Sequence, residues 1–437
     1  MIADGIYSIL KKKEKIVLKK FVLTSLLAFI FIFASCGQNV QPPVNPPEKE
    51  TEENEYSTLL PFDAYYLDTY VKPFWKGTVE YNETVLFLGE NDEAQLLYDV
   101  QEIIAVTSYG LNVFYEEGKD YEIVGNKIRR TKNSSIPYFT EDEYYPAQST
   151  MKSLEAGREY LLYGEGETFT SRQIAVTYTH AAEWSGAVPV NQSDKFVKTR
   201  NKLESKENVK ILFYGDSITT GANSSKKTGA LPKAELYTEM VASYLKKTYG
   251  YDKISSYVNN DKTDDNPSPD TTEPSGSESV IEYINTAVGG QDSNWALANY
   301  ENRVVKFAPD LLFIAFGMND KTRTAAFFYD KMNQLVSAIK EKLPDTEIML
   351  VSTSIPNKYA AAAASGTPFF KEQDKFEAEL KKIADGKGDV GLANVTSLNA
   401  ELLKRKRFRD MTGNNINHPN DYLARLYVQV IIASLGL

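Results

Sequence analysis

One cysteine and two histidines among 437 residues exclude several classes of functional site. A single cysteine cannot form an internal disulfide, and it cannot supply the thiolate sets of cysteine-based zinc or iron–sulfur sites. The only histidines are His180 and His418. Any chemistry that depends on a histidine base therefore has two positions to choose from.

Basic residues are fewer than acidic ones, which argues against a nucleic-acid partner. The formal net charge is −10, with 49 Lys and Arg against 59 Asp and Glu. The first 35 residues hold six of the lysines, so the rest of the chain is more acidic still. An acidic body has no field that attracts phosphate backbones, and we expect no nucleic-acid partner. The one basic run, residues 404–409 (KRKRFR), is interpreted as a solvated helix end.

The apolar run at residues 21–34 (FVLTSLLAFIFIFA) follows a lysine-rich segment. Its 14 residues would rise only about 21 Å as a helix, whereas the hydrocarbon core of a bilayer is about 30 Å thick. We predict a secretory signal peptide at residues 1–35. Because Cys36 follows directly, the segment resembles a bacterial lipoprotein signal, which implies export to the cell envelope and a lipid anchor at Cys36. The alternative is a single-pass anchor with a chance cysteine.

Composition divides the rest of the chain into a linker and two folded regions. Residues 36–58 are rich in Pro and Glu, which favours an extended tether. Residues 59–200 contain short aromatic and β-branched stretches separated by turn residues, which predicts an antiparallel β-sandwich or jelly-roll. Aromatic residues near its start are either a sugar-stacking platform or ordinary core; they are Tyr65, Tyr66, Tyr70, Trp75 and Tyr81.

In residues 201–437, apolar strands alternate with amphipathic helices, which predicts a parallel sheet covered on both faces. The strands are expected at 209–214, 280–286, 311–316, 348–352 and 390–395. The helices are expected at 234–248, 293–307, 324–342, 372–384 and 421–435. Residues 259–279 are polar and rich in Pro, Ser and Asp, so we expect a disordered surface insertion there.

Four polar blocks lie where the strands of such a sheet end or where its last helix begins. They are residues 215–219 (GDSIT), 285–290 (NTAVGG), 317–320 (GMND) and 417–421 (NHPND). Ligands of open parallel sheets bind at the carboxyl ends of the strands. In this order the blocks resemble those of the SGNH (GDSL-type) hydrolases, over residues 208–437. The resemblance implies a flavodoxin-like α/β fold, esterase activity, and a site without metal or cofactor.

The resemblance assigns a role to each block. It makes Ser217 the nucleophile that attacks an ester carbonyl and His418 the base that a serine hydroxyl requires. Three donors would hold the oxyanion of the tetrahedral intermediate: the N–H groups of Ser217 and Gly290 and the side-chain amide of Asn319. Gly289 is the alternative to Gly290 if the alignment shifts by one residue.

The sequence departs from the family at one position. The family has an aspartate three residues before the histidine, and Asn415 stands there instead. Three candidates remain for orienting His418: Asn415, Asp410 and a backbone carbonyl, the last of which would leave a Ser–His dyad. A dyad is slightly favoured. His180 is interpreted as a satisfied histidine of the antiparallel region.

Together with the predicted signal peptide, the resemblance implies an exported serine esterase that hydrolyses carboxylic esters, acetyl esters on carbohydrate in particular. The expected partner is an acetylated polysaccharide or oligosaccharide. A lipid or short-chain acyl hydrolase is the alternative within catalysis. A surface lipoprotein that binds glycans without turnover is the alternative outside it.

Overall fold

The computed structural model describes residues 59–262 and 278–437. The predicted signal peptide, Cys36, the linker and residues 263–277 of the predicted insertion lie outside the described residues. Within the described ranges, no helix combines the length and apolarity needed to cross a membrane.

The first half of the described chain consists mainly of antiparallel sheets. Its strands are β1 (Val79–Leu86), β2 (Glu93–Gln95), β3 (Glu102–Ser108), β4 (Tyr121–Val124), β5 (Lys127–Arg130), β6 (Met151–Ser153) and β7 (Gln173–Thr179). One three-stranded sheet has the order β1-β7-β3, and another has the order β2-β5-β4. Its helices are α1 (Leu67–Val71), α2 (Glu141–Tyr144) and α3 (Val197–Ser205), with 3₁₀ turns at Thr170–Arg172 and Ser193–Lys195. The predicted antiparallel character of this region is confirmed.

The second half alternates strands and helices. Its strands are β8 (Val209–Gly215), β9 (Lys253–Val258), β10 (Val280–Asn285), β11 (Leu311–Ala315), β12 (Glu347–Val351), β13 (Ala360–Ala362) and β14 (Val390–Ala393). Its helices are α4 (Ser225–Thr228), α5 (Tyr237–Tyr249), α6 (Ser293–Arg303), α7 (Ala325–Lys342), α8 (Gln373–Asp385), α9 (Val395–Leu403) and α10 (Asp421–Leu435). Further 3₁₀ turns lie at Val305–Phe307 and Phe408–Asp410.

Six of these strands form one parallel sheet in the order β14-β12-β11-β8-β10-β9. Side chains of a strand alternate between the two faces, and β8 shows the result. Ile211 and Phe213 pack with α5 and α10, whereas Leu212 and Tyr214 pack with α6, α7 and α8. Burial on both faces explains why this strand is almost wholly apolar. The predicted α/β fold with helices on both faces is confirmed.

The antiparallel region and the parallel sheet share contacts. Strand β13, which follows β12 in the chain, pairs with β6 of the antiparallel region. One core cluster contains Val85 and Val176 from that region together with Leu426 and Val430 of α10. Residues Leu60–Leu437 form one compact unit. The domain boundary at residue 200 stays a prediction.

The aromatic residues near the start of the antiparallel region are mostly part of its core. Tyr70, Trp75 and Tyr81 are buried, whereas Tyr66 is exposed. His180 is also buried; its Nδ1 donates a 2.9 Å hydrogen bond to the Ala182 carbonyl, and its ring stacks on the ring of Tyr98. Because a carbonyl only accepts, Nδ1 of His180 carries the proton of this bond.

The interpretation of the basic run at 404–409 as a solvated helix end holds for Lys404, which is exposed at the end of α9, but it was wrong for the residues that follow. Lys406 is buried and forms an ion pair with Glu83 of β1, in which both side chains are 0% exposed. Arg407 pairs with Asp92 at 2.7 Å, and Arg409 lies 3.3 Å from the same carboxylate. These cations bind acidic residues of the antiparallel region, and the sequence pattern contains no sign of that tertiary contact.

Candidate active site

Three adjacent strands bring the predicted site residues to one edge of the sheet. Strand β8 lies between β10 and β11. Ser217 follows β8, Gly290 follows β10, and Asn319 follows β11. Because parallel strands end at the same edge, residues about 30 to 100 positions apart in the chain meet there.

Two buried aspartates join the loops that carry these residues. The Asp216 carboxylate accepts the N–H groups of Ile218, at 3.0 Å, and of Met318, which links the loops after β8 and β11. Burial raises the pKa of Asp216 to about 7. The second aspartate, Asp320, accepts the Ser293 hydroxyl at 2.5 Å at the start of α6, and burial raises its pKa to about 6. These bonds fix the loops relative to one another.

Ser217 and His418 form a hydrogen-bonded pair across the site. The distance from Ser217 Oγ to His418 Nε2 is 3.0 Å. Ser217 is 9% exposed, and the His418 side chain is 13% exposed, so the pair is accessible from one side. On the opposite side of the ring, Nδ1 lies 2.7 Å from Asn223 Oδ1 and 3.3 Å from Glu165 Oε2.

The partners of Nδ1 determine the tautomer of His418. An amide oxygen and a carboxylate can only accept, so Nδ1 carries the ring proton. The Asn223 amide is oriented by its own Nδ2, which donates to the carbonyls of Gly166 and Gly413 at 3.4 Å each. The lone pair of Nε2 therefore faces the Ser217 hydroxyl. That is the arrangement in which the ring can accept the serine proton.

Asn414 builds the turn that presents His418. Its Oδ1 accepts the backbone N–H groups of Ile416, Asn417 and His418, each at 3.0 Å. Asn420 then caps α10 by accepting the N–H of Leu423 at 3.1 Å. Residues 417–421 (NHPND) thus have two roles: they present the His418 base from a polar turn, and they begin helix α10.

The three predicted oxyanion donors are the N–H of Ser217 and groups in the loops that follow the two strands next to β8. Within residues 59–262 and 278–437, the N–H groups of Ser217 and Gly290 have no protein acceptor within hydrogen-bond distance. Asn319 Nδ2 donates one hydrogen to the Gln291 carbonyl at 3.0 Å, which leaves the second hydrogen of the amide for another acceptor. The φ of Gly290 is +76°, a conformation that favours glycine, and a Cβ on Gly289 would lie 3.7 Å from Ser217 Cβ.

The structure places neither side-chain candidate for orienting His418 next to the ring. Asn415 Oδ1 accepts the Tyr144 hydroxyl at 3.0 Å, and its Nδ2 donates to the Leu162 carbonyl at 3.0 Å. Asp410 accepts the Leu86 N–H at 2.9 Å and pairs with Arg407 at 3.2 Å. Both residues are 0% exposed and join the second half of the chain to the antiparallel region. The slightly favoured expectation was a Ser–His dyad in which a backbone carbonyl orients His418. The groups that contact Nδ1 are instead the side chains of Asn223 and Glu165.

Sequence reasoning missed Glu165 and Asn223. Asn223 lies in the turn after Ser217, where a polar residue is unremarkable, and it has a φ of +63°. Glu165 lies 253 positions from His418, in the antiparallel region. Nothing in its local sequence, YGEGE, distinguishes it from a surface turn. Only the packing of that turn against residues 413–418 brings it to the ring.

The match to a family model concerns the second half of the chain. Residues 211–415 match the model of the GDSL-like Lipase/Acylhydrolase family, so the match ends three residues before His418. No curated protein matches the sequence.

Among solved structures, a two-domain esterase active on acetylated mannans aligns with a TM-score of 0.39 and 21% identity. The alignment covers 55% of this chain and 53% of that one, about half of its length. A catalytic mutant of an acetylxylan esterase from Geobacillus stearothermophilus aligns with a TM-score of 0.37 and 17% identity, over 52% of this chain and 94% of that one. An alpha/beta hydrolase from the metagenome of Lake Arreo, Spain, has the same TM-score and identity, over 52% and 95%.

Proposed function

We propose that this protein is a serine esterase that removes acetyl groups from carbohydrate, and the match of residues 211–415 to the GDSL-like Lipase/Acylhydrolase family supports the proposal. The observation that carries the proposal is the Ser217–His418 pair, at 3.0 Å, with the ring proton on Nδ1. A serine hydroxyl becomes an effective nucleophile when such a base accepts its proton.

In the first half of the reaction, Ser217 Oγ forms a bond to the ester carbonyl carbon while its proton moves to His418 Nε2. The negative charge that develops on the carbonyl oxygen is held by the N–H groups of Ser217 and Gly290 and by the second amide hydrogen of Asn319. His418 then gives the proton to the alcohol oxygen as its bond to carbon breaks. The products are the free alcohol and an acyl group on Ser217.

In the second half, water replaces the alcohol. His418 Nε2 takes one proton from the water as its oxygen bonds to the acyl carbon. The same proton then returns to Ser217 Oγ as the acyl–serine bond breaks. The carboxylic acid leaves, and the pair is restored without any external oxidant, reductant or cofactor.

The surroundings of Ser217 support a small acyl group on a polar alcohol. Gly289 and Gly290 are exposed and present no side chain, and His418, Asn417 of the same turn, and Asn319 of the loop after β11 are partly exposed. A long acyl chain needs extended apolar walls. Amide and imidazole groups instead suit the hydroxyls of a sugar, which favours a carbohydrate ester over a lipid.

The proposal is tested by comparing wild type, Ser217→Ala and a control, Ser365→Ala, in which an exposed loop serine is changed. We expect Ser217→Ala to lose at least about a thousandfold in p-nitrophenyl acetate hydrolysis, and the control to retain full activity. A serine-directed phosphonate should label Ser217 alone. Full activity in Ser217→Ala, or labelling at another serine, would contradict the mechanism.

The substrate class is tested with wild-type protein. We expect acetate release from acetylated xylan or mannan and no fatty-acid release from phospholipid vesicles. Release from phospholipid alone would favour the lipid hydrolase. Absence of turnover on every ester, together with binding to the glycans, would favour the non-catalytic glycan-binding protein.

We also propose that the protein is exported and anchored by lipid at Cys36. The support is the order of a lysine-rich segment, the apolar run at 21–34 and Cys36. Cys36→Ser is expected to yield a soluble form or an uncleaved precursor. A variant unchanged in both size and membrane association would contradict the lipid anchor.

A further inference from the structure

His418 Nδ1 contacts two acceptors that differ in charge and in origin. Asn223 Oδ1, at 2.7 Å, is neutral and comes from the loop after β8. Glu165 Oε2, at 3.3 Å, comes from the antiparallel region. Among the described residues, the side chains that hydrogen-bond the His418 ring are those of Ser217, Asn223 and Glu165. Of these three, Glu165 is the one that carries a negative charge.

Glu165 is held in this position by two further hydrogen bonds. Its Oε1 accepts the Tyr163 hydroxyl at 2.6 Å and Asn414 Nδ2 at 3.2 Å. Burial acts to raise the pKa of Glu165, but the bonds from His418, Tyr163 and Asn414 outweigh it and lower the pKa to about 2. The carboxylate is therefore charged throughout the pH range in which an esterase is assayed. Asn414 therefore hydrogen-bonds both residues: its Nδ2 donates to Glu165, and its Oδ1 accepts the backbone N–H of His418.

We infer that Glu165 is the missing acid of this site, and that it works in a divided arrangement with Asn223. Asn223 accepts the short bond from Nδ1 and orients the ring. Glu165 supplies the negative charge that stabilises the imidazolium formed when His418 takes the Ser217 proton. Both are positioning residues that act through His418. The inference rests on the proposed esterase function and extends it, because the antiparallel region then completes the catalytic site.

The division of roles predicts a moderate effect of removing the charge. In a serine protease, replacing the triad aspartate by asparagine costs about 10⁴-fold in kcat because the tautomer is lost. Here Asn223 keeps the tautomer when Glu165 is neutralised. We therefore expect Glu165→Gln to lower kcat about 10- to 100-fold, with KM changed by less than about threefold.

The test uses the full chain and p-nitrophenyl acetate. Glu165→Gln is compared with Glu167→Gln, a matched control that removes the same charge from an exposed residue two positions away. The acidic limb of the pH profile should move to lower pH in Glu165→Gln, since the protonated ring has lost its counter-charge. The control, Glu167→Gln, should have the same rate as wild type, and the acidic limb of its pH profile should lie at the same pH.

A charge rescue separates this role from a purely structural one. Asn223→Asp places a carboxylate at the 2.7 Å position, and aspartate tolerates the positive φ of that residue. Added to Glu165→Gln, it should restore activity at least about tenfold. Asn223→Asp alone should move the acidic limb to higher pH, a measurement that remains available if Glu165→Gln does not fold.

The outcomes distinguish this inference from the proposed function. If Ser217→Ala is inactive while Glu165→Gln keeps wild-type kcat and pH profile, the esterase proposal stands and the role of Glu165 is refuted. A loss in Glu165→Gln without a change of pH profile, and without rescue by Asn223→Asp, also refutes it. If Ser217→Ala remains active, the proposed function itself fails.

Discussion

The ion pair between Lys406 and Glu83 should be a main support of the contact between the antiparallel region and the second half of the chain. Both side chains are 0% exposed. Glu83 also accepts the Leu97 N–H at 3.0 Å and the Tyr178 hydroxyl at 2.7 Å. Lys406→Met would leave a buried carboxylate without its cation. Breaking a buried pair in this way costs about 3–5 kcal/mol of unfolding free energy.

The remaining hydrogen bonds to Glu83 persist in Lys406→Met, so we expect a loss of about 3 kcal/mol, the lower end of that range. In the double variant Lys406→Met/Glu83→Gln, no charge stays buried, and the glutamine oxygen can still accept from Leu97 and Tyr178. Replacing a buried pair by neutral groups is often close to neutral, so we expect the double variant to lose under about 2 kcal/mol. The double variant should thus be more stable than the single one.

The assay is equilibrium urea unfolding followed by tryptophan fluorescence and far-UV circular dichroism, whose transitions should coincide. Lys404→Met is the control, since the Lys404 side chain is 66% exposed and pairs with Glu401 on the surface. Such pairs contribute about 0–1 kcal/mol. The reasoning is refuted if Lys406→Met is no less stable than the control, or if the double variant is no more stable than Lys406→Met.

Further predictions concern the catalytic site. His418→Ala should reduce kcat/KM at least about a thousandfold in the p-nitrophenyl acetate assay, because no other base contacts Ser217 among the described residues. Asn319→Ala should cost about 100- to 1000-fold in kcat, as removal of one oxyanion donor does. Asn415→Ala should cost under about tenfold in activity but about 1–3 kcal/mol in urea unfolding, because Asn415 is buried and its partners Tyr144 and Leu162 lose their bonds. An activity loss of about a hundredfold in Asn415→Ala would contradict the position of Asn415 away from the His418 ring.

The parallel sheet was predictable because its signals are local. Strand β8 is buried on both faces and therefore almost wholly apolar, and helix α10 begins and ends where its sequence pattern predicts. Strand β9 was not predicted, since it is the exposed edge of the sheet and its sequence, KISSYV, is half polar. Helix α9 was also missed, because it follows β14 directly and its apolar residues read as a continuation of that strand.

What the sequence determined by itself is the chemistry at the ends of the strands. The resemblance to the SGNH hydrolases selects a serine, a glycine and an asparagine that follow three strands, and the rules of parallel sheets place such residues at one edge without knowledge of any side-chain contact. The resemblance also selects His418 as the base, and a chain with two histidines offers little competition for that role.

Only the tertiary structure decided what supports that chemistry. Asn415 stands where the hydrolases that the sequence resembles have an aspartate, but it has a left-handed backbone, with φ at +68°, and its side chain bonds to Tyr144 and Leu162 instead of His418. The charge beside the ring comes instead from Glu165, 253 positions away. Lys406, which looked like a solvated cation, is buried against Glu83, 323 positions away. Contacts at such separations depend on how whole layers pack, and a single sequence carries no periodic or local signal for them.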